Sequence, residues 1–201
     1  MKRGFTLIEM LVVIGIIAIL MGAGIGVYSG ATKAAEKKRC EELVANTATA
    51  LTALFQTEGC WPTVLLRDGA HDGELDARKA YPLAKGGYMS LTVEDGKLAG
   101  YDRFGIVSPW ALAHVKRRGM AASIGDKIGV GTLKDHILHY ALDLDGDGII
   151  EGASVGGESV DIRATVAVWC CGKDGKMEPY SSGLRKDDVY SWTYGQTQGV
   201  K

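Results

Sequence analysis

Asp143-Leu144-Asp145-Gly146-Asp147-Gly148-Ile149-Ile150-Glu151 sets carboxylates at alternate positions of a glycine-containing segment. When such a segment curls its carboxylates converge, and Gly148 permits the sharp turn. Hard oxygen donors in this pattern suit calcium, which takes roughly six to eight oxygens, among them a backbone carbonyl at the seventh position, here Ile149. Glu151 follows at the ninth position. The twelfth is Ser154, so the bidentate glutamate of a full hand loop is missing, and Glu158 is the nearest substitute. The other reading is a polar turn, which would leave three like charges uncompensated at close range.

A second chemical oddity is Glu9. From Phe5 to Val27 the chain is apolar except for Thr6 and Glu9. As a helix this stretch would span about 34 Å, enough for a bilayer core of about 30 Å. A carboxylate within it costs about 2.5–3.5 kcal/mol on insertion scales, so it calls for a partner. Lys2 and Arg3 flank the stretch on its N-terminal side and predict that this end stays cytoplasmic while the rest is exported. A secretory signal would be shorter in its apolar region and would end in a small-residue cleavage site.

Gly4-Phe5-Thr6-Leu7-Ile8-Glu9-Met10-Leu11-Val12-Val13-Ile14 resembles the prepilin signature of type IV pilins and type II secretion pseudopilins. The resemblance is strongest over residues 1–30. It implies that a membrane aspartyl peptidase, the prepilin peptidase, cuts between Gly4 and Phe5 and methylates the new amine of Phe5. It implies too that Glu9 neutralises that amine in a neighbouring subunit during filament assembly. The implied partners are the peptidase, an inner-membrane platform protein, a cytoplasmic assembly ATPase, the membrane and further copies of the chain in a homo-oligomeric filament. The implied location is the bacterial inner membrane, single-pass with the head in the periplasm, and then a periplasmic or cell-surface filament. Gly172-Lys173-Asp174-Gly175-Lys176 with Asp187-Asp188-Val189-Tyr190 is similar to the calcium loop of the major pseudopilin, which makes Asp174, Asp187 and Asp188 side-chain ligands by implication. Tyr101-Asp102-Arg103-Phe104-Gly105, followed by Pro109-Trp110, is loosely similar to another stretch of that head.

These features need elements to carry them. Ala31, Ala34, Cys40, Val44, Ala48, Leu51 and Phe55 recur at steps of mostly three and four, so the helix is expected to continue to about Glu58, where Gly59 and Pro62 stop it. Beyond residue 60 the apolar segments are short and bounded by glycine. Strands are expected at Tyr88–Val93, Ile137–Leu142 and Ile162–Trp169, the last alternating and paired with Val189–Tyr194, and a short helix is expected over 109–118. The expected fold is α+β: a long N-terminal helix, half transmembrane and half amphipathic, packed on a small antiparallel β-sheet head. The expected divisions are a leader at 1–4, a transmembrane stalk at 5–27, an amphipathic half at 28–58 and a head at 59–201.

Cys40, Cys60, Cys170 and Cys171 would all be exported, and an even count outside the cytoplasm favours disulfides. A vicinal Cys170–Cys171 bond is disfavoured by strain. Cys170 and Cys171 could each join one of Cys40 and Cys60. That two-bridge arrangement is the expected one; adjacent strand residues face opposite ways, however, so it needs a distortion, and one bridge with two free thiols is its rival.

No catalytic constellation is visible, and the chain reads as structural, not as an enzyme. Gly152-Ala153-Ser154-Val155-Gly156 fits a nucleophile elbow only formally, since no parallel α/β pattern surrounds it. His136 and His139 lack the glutamate of a metalloprotease motif. A net charge of −1 gives no reason to expect nucleic-acid binding. The function expected is a subunit of a type II secretion pseudopilus or type IV pilus. The alternative is a minor pilin whose head binds DNA, a surface or a secreted substrate.

Overall fold

The computed structural model describes residues 6–66, 71–90, 93–94, 97–98, 104–112, 131–181, 187–192 and 197–200, without the side chains of 22–30, 33, 93–94, 97–98 and 197–200. The chain divides into two compact units, Met1–Lys38 and Arg39–Lys201. Helix α1, Leu7–Glu58, begins in the first and ends in the second.

In the first unit every side chain described from Leu7 to Met21 is exposed, Leu7 at 84% and Ile19 at 73%. A helix apolar on all sides has no wet face to spare, which is the pattern of a helix made for burial in lipid or among other helices. Among the described residues no helix is long and apolar enough to cross a membrane. The span expected at 5–27 lies partly outside them, because Phe5 and the side chains from 22 onward are not described.

In the second unit α1 buries Cys40, Val44, Thr47, Ala50, Leu51 and Leu54. The spacing of three and four keeps one stripe on the core, and each fully buried aliphatic contributes about 1.5–3 kcal/mol. Ala31 and Ala34, expected on the same stripe, are exposed because they precede this unit. The helix stops as its sequence demands: Gly59 takes φ of 70° and donates its N–H to the Phe55 carbonyl at 2.8 Å.

The fold is α+β with antiparallel sheets, as expected. Strands β1 (Asp72–Glu74), β4 (His139–Leu142), β7 (Val166–Cys170) and β8 (Val189–Tyr190) form one sheet in the order β1-β4-β7-β8. Strands β5 (Ile150–Val155), β6 (Glu158–Ile162) and β9 (Thr197–Val200) form a second, and β2 (Val93–Glu94) with β3 (Lys97–Leu98) a small ribbon. Helix α2, Ala77–Lys85, is capped by Asp76, which accepts from the Arg78 and Lys79 N–H groups at 2.9 and 3.0 Å.

Two strand expectations need correction. Tyr88 and Met89 are not in a strand; Gly86 and Gly87 end α2, and the N–H groups of Tyr88 and Met89 both turn back to the Leu83 carbonyl. The segment 162–169 is not one alternating strand either. Ile162 ends β6, a bend takes Arg163–Thr165, and β7 starts afresh at Val166 in the other sheet. All five β7 residues are buried. Val166, Val168 and Cys170 pack with Leu51, Leu54 and Leu65, while Ala167 and Trp169 pack with Ile150, Val160 and Ile162. Strand β7 is therefore the shared wall of two cores, and its pairing with β8 holds as expected, Cys170 opposite Val189. Residues 109–112 are helical; the rest of the expected 109–118 helix lies outside the described residues, as do Tyr101–Arg103.

Candidate functional site

At the start of α1, Thr6 and Glu9 bond reciprocally. The Thr6 N–H and hydroxyl both donate to Glu9 Oε2 at 2.8 Å, and the Glu9 N–H donates to Thr6 Oγ1 at 3.3 Å. This is a capping box, with threonine at the cap and glutamate three residues on, and it satisfies backbone donors that a helix start otherwise leaves open. The box is written in the sequence as T-x-x-E, Thr6 to Glu9. It turns the carboxylate back toward the chain's N-terminal end. Gly4 and Phe5 lie outside the described residues.

The first acidic loop curls as its glycines predict, Gly146 at φ of 78° and Gly148 at 85°. Asp143, only 3% exposed, accepts from the Gly146 N–H at 2.8 Å and the Gly148 N–H at 2.9 Å. Asp145 accepts from the Asp147 N–H, and Asp147 from the Ile149 N–H. Two anchors fix the loop's root. Trp61 Nε1 donates to the Asp143 carbonyl at 2.8 Å, and the Asp143 N–H donates to Thr165. One oxygen from each of Asp143, Asp145 and Asp147 lies within 4.8 Å of the others. Ligands on one calcium stand no more than about 5 Å apart, so the donor set fits that ion. Glu151, exposed on β5, is not in this group. Glu158 does not replace the missing glutamate, because it accepts from the N–H and hydroxyl of Ser181.

The second acidic array assembles differently from its expected form. Asp174, Glu178 and Asp187 offer oxygens within 4.8 Å of one another. Glu178, not among the ligands expected from the sequence, enters in place of Asp188. Asp188 turns inward and accepts from the Gly172 N–H at 2.8 Å, the Glu178 N–H at 3.3 Å and the Tyr190 hydroxyl at 3.2 Å. Burial, with the nearby Glu178 charge, pushes the Asp188 carboxyl up to about 7. Its role is to tie the loop's backbone, while the other three are half-buried, with Glu178 Oε2 buried and without a hydrogen-bond partner. Asp187 accepts from the Lys173 N–H at 3.0 Å and occupies the space where a side chain at Gly172 would stand. The one signal for Glu178 was its place four residues after Asp174.

Of the four cysteines, two meet. Cys40 Sγ on α1 and Cys170 Sγ at the end of β7 lie 2.7 Å apart, both 0% exposed. Cys171 faces away, its thiol donating to the Asp135 carbonyl at 2.6 Å beside His136 Nδ1. Cys60 is exposed past the end of α1. The two-bridge arrangement is therefore not assembled: Cys171, just past the end of β7, is engaged with Asp135 and not with Cys40 or Cys60.

Gly152–Gly156 belongs to the β5–β6 antiparallel hairpin, where the Ser154 N–H donates to Asp72, so no nucleophile elbow forms there.

Residues 1–25 match the prokaryotic N-terminal methylation motif, the signature of type IV pilin and pseudopilin substrates of the prepilin peptidase. No curated protein and no solved structure matches the chain.

Proposed function

Starting from that N-terminal methylation motif at residues 1–25, we propose that this chain is a structural subunit of a type II secretion pseudopilus or type IV pilus. The peptidase cuts between Gly4 and Phe5 and methylates the Phe5 amine. The mature chain waits in the inner membrane on its apolar helix, with the rest in the periplasm, until the platform protein and assembly ATPase draw it into a filament of its own copies. The observation that carries this reading is the motif joined to a helix whose described residues from Leu7 to Met21 are apolar but for Glu9 and exposed throughout.

Glu9 follows from the same premise. Its capping box aims the carboxylate toward the end where cleavage creates a cation, and a carboxylate in hydrocarbon is retained only for a partner. In the filament that partner is the Phe5 amine of a neighbour. Substitution separates the two roles. Glu9→Gln keeps the capping geometry, since glutamine serves in the same box, but removes the charge. Both Glu9→Ala and Glu9→Gln should be cleaved normally, yet yield no filaments by electron microscopy of cells. Normal filaments from Glu9→Gln would reduce Glu9 to a helix cap.

Within this class we favour the secretion pseudopilus. The support is the Asp174–Glu178–Asp187 group in a loop similar to the major pseudopilin's calcium site. Calcium bound there by these three residues, and in the first loop by Asp143, Asp145 and Asp147 with the Ile149 carbonyl, would supply the charge that the clustered carboxylates lack and brace both loops.

A further inference from the structure

We infer that Cys40 and Cys170 form a disulfide that fastens the assembly helix to the wall between the two cores, with Cys171 and Cys60 remaining thiols. Cys40 is the first buried residue of α1 among those described, and Cys170 is the last residue of β7. The two are 130 residues apart in sequence, yet their sulfurs stand 2.7 Å apart in the interior. That is closer than unbonded sulfurs ordinarily come, and about 0.7 Å from bonding distance, a gap side-chain adjustment closes. Both side chains pack in one apolar cluster with Val44 and Val168, which shields a finished bond from reductant.

The competing pairings fail on geometry. The Cys171 thiol is engaged on the opposite side with the Asp135 carbonyl, and Cys60 is at the surface. Oxidation takes two protons and two electrons from the Cys40 and Cys170 thiols to form the S–S bond. The disulfide of a thiol–disulfide oxidoreductase accepts them and becomes a dithiol. Both sulfurs are fully buried in the finished fold, so an oxidoreductase reaches them while the helix is docking.

The consequence is mechanical. A filament subunit is held by its helix, and a covalent tie at the helix's first buried residue makes load on the helix pass into the sheet without unzipping the core. This consequence rests on the filament reading. The bond itself needs from that reading only that Arg39–Lys201 reaches an oxidising compartment.

The test is peptide mapping of the full chain. Cells are alkylated before lysis, and the protein is purified in detergent and digested without reductant, from untreated cells and from cells exposed to diamide, which oxidises thiols in any compartment. A peptide joining Cys40 to Cys170 in untreated cells is the expected result, together with a melting temperature lowered by about 5–15 °C on reduction. The same peptide from diamide-treated cells alone supports the pairing and contradicts export of the head. Four alkylated cysteines in both samples, or a peptide joining any other pair, overturns the inference.

Discussion

Glu9, Asp188 and Cys170 each draw their chemistry from one close partner or set of partners: Thr6, the Gly172 and Glu178 N–H groups, and Cys40. Glu9 stood out as a charge in an apolar run, and its threonine partner was three residues away in plain view. Asp188 was legible as one of a pair of acids, while its inward turn depends on N–H groups at Gly172 and Glu178 that only the folded loop brings close. Cys40 and Cys170 meet across a distance in sequence that no local pattern spans. Another residue carries a pH dependence. His139 stacks on Trp169 at 5.7 Å between ring centres, and burial lowers its affinity for a proton, against the pull of Glu74 and Asp72. Its folded pKa lies below the ordinary 6.5, so the unfolded chain takes up a proton first as pH falls through that value. Stability contributed by the neutral ring is then lost from about pH 6.5 downward. Asp188, held near 7 in the fold, works the other way over the same range, because the folded chain takes up its proton first. The test is therefore the difference between two proteins: in thermal melts from about pH 7.5 to 5 the midpoint of the wild-type chain should fall more, or rise less, than that of His139→Gln, and identical slopes would contradict the assignment.

At the scale of elements, the long helix was legible to within a residue or two, because glycine and proline punctuate its end and its stripe repeats at three and four. The sheet was less so. An alternating strand is recognised by its wet face, and β7 has none: Ala167 and Trp169 face one core, Val166 and Val168 the other. A strand covered on both sides reads as a continuous apolar run, and the bend at Arg163–Thr165 was absorbed into it. The correction has a direct test in stability. Val168→Ala should cost about 1–3 kcal/mol by opening a cavity. Ala167→Lys should cost at least as much, since it buries a charge against Ile150 and Ile162. If position 167 faced water, the lysine would change stability by less than about 0.5 kcal/mol. Denaturant titration of the two variants decides between one wet face and two dry ones.

For the whole molecule, the proposed function assigns the two acidic loops to stabilising the head and the N-terminal motif to assembly. The class of the fold and the motif were both open to reading from the sequence, since each rests on local residues. The make-up of the second acidic group was not, because Glu178 joins it only when the loop closes. If both groups hold calcium, the chain melts higher with the ion, by an amount worth about 2.7 kcal/mol for each site at a hundredfold excess over its dissociation constant. Asp145→Asn and Asp187→Asn should each remove part of that rise. A midpoint indifferent to chelator in the wild-type chain would dismiss both sites. The central claim is more basic than any of these: the apolar helix is freed at Phe5 and kept. Mass spectrometry of the mature N-terminal peptide isolated from cells tests it most directly. The expected peptide begins at Phe5, lacks Met1–Gly4 and carries one added methyl on its amine. A mature chain that still begins at Met1, or that starts well beyond Phe5 with the apolar segment removed, would contradict it.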